Sequence, residues 1–120
     1  MPRVEYTAEE VTLCTYAAMY DSADFGGDVA IRNLRRRPEE KHSMASIKMK
    51  IQNIASMLDE REIPRENNRI APLTGKTTGE NGRTTNWDIV QRLYNLEREV
   101  FLQRCVSIIE TARNRGVENQ

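Results

Sequence analysis

Residues 42–61 read HSMASIKMKIQNIASMLDER, and this stretch decides the fold. Met44, Ile47, Ile51, Ile54, Ala55 and Leu58 recur at steps of three and four, the spacing that gathers apolar side chains on one side of an α-helix. Ser43 stands just ahead of the run, where its hydroxyl can accept an orphan backbone N–H, and Pro64 follows its end. The spacing therefore predicts a helix from Ser43 to about Arg61. Outward toward the N-terminus, Pro38 pushes Arg37 out of helical geometry. Ala30, Ile31 and Leu34 behind the acidic Asp28 predict a short second helix from Asp28 to about Arg36. The string DSADFGG at residues 21–27 breaks the chain before it. Thr7 with Glu10 three residues on is a capping-box pair, opening a first helix that runs to about Tyr20. Its apolar residues Val11, Leu13, Cys14, Ala17, Ala18 and Met19 fall on one broad side, with Tyr6, Tyr16 and Tyr20 at the margins.

Toward the C-terminus, residues 64–85 (PRENNRIAPLTGKTTGENGRTT) concentrate Pro, Gly, Asn and Thr. That composition favours turns and predicts an extended loop, with a short β-ribbon as the regular alternative. Thr85 or Asn86 then caps a last helix from Trp87 to about Arg115. Its apolar residues form two rows: Ile89, Leu93, Leu96 and Val100 in one, Val90, Tyr94, Phe101, Cys105, Ile108 and Ala112 in the other. A core built from the first three helices covers one row, which leaves Val100 to Ile109 in need of a second partner. The expectation is one all-α domain over residues 1–120, with a helical core at 7–96 and a long C-terminal helix as an extension at 97–120.

Composition narrows the function classes. Charged residues make up 30% of the chain and apolar ones 38%, which suits a small core under well-solvated helices. The formal net charge is zero, but residues 1–31 carry −5 and residues 32–50 carry +5. A local positive patch can therefore face phosphate although the whole chain is neutral. Cys14 and Cys105 lie far apart on amphipathic segments and read as small buried thiols rather than a disulfide framework. No stretch approaches a membrane span, and the opening MPRVEYTAEE has no apolar run behind a basic start, so the expected location is the cytoplasm.

The segment from His42 to Leu58 resembles the S-x-x-S-[IV]-x-x-K-x-x-N-[IF] pattern of a domain that precedes HNH nuclease modules in McrA-like bacterial restriction endonucleases. The likeness extends to the acidic start of the first helix and to Trp87–Leu93, and covers about Thr7 to Leu96; the last 24 residues have no counterpart. It implies a helix-turn-helix-like three-helix core whose task is to engage DNA. His42 is the single histidine, so the resemblance does not carry the His-Asn-His metal centre or nuclease activity.

The remaining chemistry is thin. No C-x-x-C or H-x-x-x-H spacing predicts a metal site, and no cofactor is implied. Gly75-Lys76-Thr77 lacks the earlier glycine of a phosphate loop, whose place is taken by Ile70. Ser43 and Ser46 lie near His42, but no acid is placed to orient a base, and no catalytic set is expected. The basic block offers more. Arg35, Arg36, Arg37, Lys41, His42 and Ser43 gather beside a helix N-terminus, where phosphate is favoured. On the helix itself Lys48, Gln52 and Ser56 should lie opposite the isoleucine stripe, with Ala45 and Met49 beside them. The leading expectation is a non-enzymatic DNA-binding module in which Arg35, Arg36, Arg37, Lys41 and Lys48 meet phosphates and Ser46, Met49 and Gln52 face bases. Asn53, nearer the apolar boundary, should bond the turn between helices. The alternative is a protein-interaction module, a homodimer or a subunit of a larger complex, that uses Phe101, Leu102, Cys105, Ile108 and Ile109.

Overall fold

The computed structural model describes residues 5–70 and 86–118, with side chains of the last helix described as far as Arg115. The capping box forms as its spacing predicts: the Thr7 N–H donates to Glu10 Oε1 (2.8 Å) and Thr7 Oγ1 accepts from the Glu10 N–H (3.2 Å). It opens α1, Ala8–Met19. The single apolar side expected of α1 proves too narrow a description, because every residue from Glu10 to Met19 is buried. Thr12 and Thr15 tolerate this by donating their hydroxyls back to the carbonyls of Ala8 (2.8 Å) and Val11 (2.7 Å). α1 is thus the central helix, and the others pack around it.

Without a glycine cap, the last carbonyls of α1 find partners from far along the chain. The Asn67 amide donates to Ala17 (2.9 Å), the Arg65 guanidinium to Ala18 (3.2 Å), and the backbone N–H groups of Glu66 and Asn67 to Met19 (2.9 and 3.0 Å). Arg65 also forks onto Asp59 at 2.8 and 3.0 Å. The part of the loop at 64–70 is therefore a built cap that places a cation at a helix C-terminus. Residues 71–85, which include the β-ribbon alternative and Gly75-Lys76-Thr77, lie outside the described residues.

After α1 a single 3₁₀ turn, Ser22–Phe25, reverses the chain, with Gly26 (φ 116°) and Gly27 (φ 91°) in conformations that a side chain would strain. α2 follows at Asp28–Arg32, four residues shorter than the spacing predicts. The chain from Asn33 to Arg37 turns instead, which carries Arg35 back onto α1. Ser43 caps α3, Met44–Glu60, by accepting the Ser46 N–H at 3.0 Å. Ile47, Ile51, Ile54 and Leu58 enter the core as expected.

The last helix differs from its prediction. It is two helices, α4 at Trp87–Val90 and α5 at Arg98–Glu118, joined by a turn through 91–97. Asn86 precedes α4 at φ 66° without a side-chain cap bond. With the turn in place, Val90 of α4, Leu93 within the turn and Phe101 and Cys105 of α5 all join the core, while Val100 of the first row stays exposed. Phe101 stands edge-on to Tyr16 near the C-terminus of α1 (ring centroids 5.2 Å apart), while Ile108 and Ala112 lie beside Thr7 and Glu9 at its N-terminus. α5 therefore runs antiparallel along α1. Its start is pinned where Arg98 donates to Asp24 (2.8 Å) below the Tyr20 ring. Phe101 and Cys105 of α5 thus belong to the core, with Leu102, Ile108 and Ile109 packed against it. The protein is all-α: among the described residues there is no strand, and no helix is long and apolar enough to cross a membrane.

Candidate nucleic-acid interface

Apart from Asp59 and Glu60 at its end, the exposed side of α3 lies on its first turns. Ala45, Lys48 and Met49 are exposed and Gln52 half-buried, as helical geometry requires of residues opposite the isoleucines, whereas Met44, expected with the isoleucines, is also exposed, at the first residue of the helix. Farther along, Ala55, Ser56 and Met57 are all covered, so Ser56 does not join the open face that its spacing predicts. Asn53 does not bond an interhelical turn either; its Oδ1 is buried and meets no hydrogen-bond partner among the described residues.

Beneath this face, at the N-terminal ends of α1 and α3, sits a polar cluster. Its centre is the Glu10 carboxylate, 1% exposed. Arg35 forks onto it, Nε to Oε2 at 3.1 Å and Nη2 to Oε1 at 3.0 Å, and also donates to the Glu5 carbonyl. The pairing raises the Arg35 pKa further, so the guanidinium stays charged. His42 stacks face to face on Tyr6, ring centroids 3.8 Å apart. Its Nε2 is buried without a hydrogen-bond partner among the described residues, 3.8 Å from Glu10 Oε1. Burial holds the His42 pKa below the usual histidine value, with Arg35 and Lys50 lowering it further and Glu10 opposing them. The Tyr6 hydroxyl meets Ser46 Oγ at 2.8 Å, and Lys50, itself buried, lies over the Tyr6 ring and donates to Asn86 Oδ1 at 2.6 Å.

This geometry divides the ten candidate DNA contacts. Arg35 and His42 face inward on Glu10, Lys41 donates to the Arg35 carbonyl and to Asn33 (3.4 Å), Ser43 is a helix cap, and Ser46 holds Tyr6. Those five are engaged within the chain, with Ser43 still exposed and Arg35 and Lys41 partly so. Arg36, Arg37, Lys48 and Met49 are exposed and Gln52 is half-exposed. Of the five candidate partner residues, Phe101 and Cys105 are fully buried against their own chain, and burial pushes the Cys105 thiol up to about 12. Leu102, Ile108 and Ile109 are partly buried against the same core. Sequence reasoning missed Tyr6, Glu10 and Lys50 as members of one cluster. The capping box marks Glu10, but nothing local marks the arginine 25 residues away that neutralises it.

Cys14 and Cys105 are free, buried thiols, as their setting predicts. Among the described residues no group of three or more His, Cys, Asp or Glu is placed to hold a metal ion. In comparisons with known proteins, the chain matches no family model, no curated protein and no solved structure.

Proposed function

We propose that this protein is a non-enzymatic DNA-binding module that presents the first turns of α3 to the major groove. The carrying observation is the exposure pattern of α3: small Ala45, flexible Met49 and cationic Lys48 stand open on its N-terminal half with amide-bearing Gln52 half-exposed beside them, while Ile54 to Leu58 are covered and the exposed end, Asp59 and Glu60, is acidic. A recognition helix reads base edges from its N-terminal half. In this reading Arg36, Arg37 and Lys48 meet phosphates and fix register, Gln52 pairs with adenine, and Met49 touches a thymine methyl. Arg35 and His42 contribute by holding the helix start rigid. The resemblance of residues 42–58 to the domain preceding the nuclease in McrA-like enzymes supports the same role, in a cytoplasmic bacterial setting tied to restriction.

The test is a charge-removal series. Replacing Arg36, Arg37 and Lys48 by Ala together should weaken binding to any duplex and lower the slope of log K against log salt by up to about three units. An unchanged slope would make these side chains an ordinary solvated surface. A second reading rests on one flank of α5, where Val106 is 37% exposed between half-buried Leu102 and Ile109. That flank suits a homodimer or a subunit contact, and a concentration-independent monomer by light scattering would remove it.

A further inference from the structure

α5 carries apolar residues on a flank as well as on the side it buries. Phe101 and Cys105 are fully buried in the core, whereas Leu102, Val106 and Ile109 lie along an edge where Val106 is 37% exposed and the other two are half-buried. Glu99, Leu102, Val106, Ile109 and Arg113 follow one another at steps of three and four. At 3.6 residues per turn these five positions fall within about 80° of arc and extend about 21 Å along the helix axis. That is the spacing of a seam between two paired helices. Glu99 and Arg113, at its two ends, are exposed, and among the described residues neither is in an ion pair. Gln103 and Glu110 are exposed and border the seam on its solvent side, as the polar rim of a contact would.

The order of the charges selects the occupant. Glu99 lies seven residues before Val106, and Arg113 lies seven residues after it. A two-fold axis at Val106 therefore lays Glu99 of each copy against Arg113 of the other, with the valines meeting at the centre and Leu102 and Ile109 around them. Parallel pairing would set Glu99 on Glu99 and Arg113 on Arg113, repulsive at both ends. The antiparallel arrangement also opposes the two helix macrodipoles. A closed two-fold contact needs a patch that is its own complement, and this seam has that pattern.

We infer that α5 docks on α5 of a second copy, antiparallel, through the seam from Glu99 to Arg113 centred on Val106. The pairing rests on the interaction reading of this flank and supplies its partner and register. α3 and α5 pack on α1 rather than on each other, so the open turns of α3 stay free in both copies.

Sedimentation equilibrium of the full chain at low salt tests this, with circular dichroism to show that each variant keeps its helices. The wild type should form a dimer at micromolar concentration. Glu99→Arg and Arg113→Glu each turn two attractive contacts per dimer into repulsive ones, and each should raise the dissociation constant roughly tenfold or more. The double reversal, Glu99→Arg with Arg113→Glu, should return it close to the wild-type value. Val106→Glu puts two carboxylates at the axis and should give a folded monomer, because that side chain is not part of the core. A wild type that stays monomeric to high micromolar concentration removes the interaction reading of the flank and the pairing with it. A dimer that ignores the single reversals, or that the double reversal does not restore, overturns the antiparallel seam while the association itself stands.

Discussion

Arg35, Arg36 and Arg37 are chemically identical neighbours with different surroundings, because the chain after α2 turns instead of continuing as helix. Arg35 forks onto a carboxylate that is 1% exposed, whereas the next two arginines reach into solvent. Removing one partner of a buried ion pair leaves an unpaired charge, so Arg35→Ala should cost about 2–4 kcal/mol in chemical denaturation. Arg36→Ala and Arg37→Ala should stay within about 0.5 kcal/mol of wild type. Equal effects from all three would contradict the placement of Arg35. The sequence marked these residues as basic and could go no further, since the same three letters serve a core ion pair and a phosphate contact equally well. On α3 the distinction was legible, because periodicity alone separates Ile51 from Gln52. Ile51→Ala should cost about 2–5 kcal/mol, and Gln52→Ala little.

Among the elements, α1 and α3 were readable because each begins at a hydroxyl cap and carries apolar residues throughout or at a clear period. The end of α1 was not readable. Its carbonyls are capped by Arg65 and Asn67, residues in a stretch whose Pro and Asn content signals only a loop. Asn67→Ala would remove the partner of the buried Ala17 carbonyl and should cost about 1–3 kcal/mol, with amide exchange rising first at the last turn of α1. Exchange that rises evenly over the chain, or no loss of stability, would mean that the cap is incidental. The break at 91–97 was hidden for another reason. Its residues are compatible with helix locally, and it is tertiary packing, invisible to local periodicity, that overrides this.

For the molecule as a whole, the long apolar C-terminal stretch does not require a second copy, because α5 folds back along α1 and completes the core. Phe101 packs edge-on against Tyr16 and Tyr20 and is fully buried. Phe101→Ala should therefore cost about 3–5 kcal/mol of folding free energy. Phe101→Glu should unfold the domain rather than dissociate an assembly. A folded Phe101→Glu monomer from an associated wild type would restore the interface reading for that residue.

The central claim, that the open turns of α3 and the arginines before them engage DNA, is tested most directly by fluorescence anisotropy of a labelled duplex titrated with the full chain at two salt concentrations. The account predicts saturable binding at low salt that weakens steeply at the higher one, because Arg36, Arg37 and Lys48 displace counterions from phosphates. Anisotropy that stays flat to high micromolar protein at low salt would contradict it.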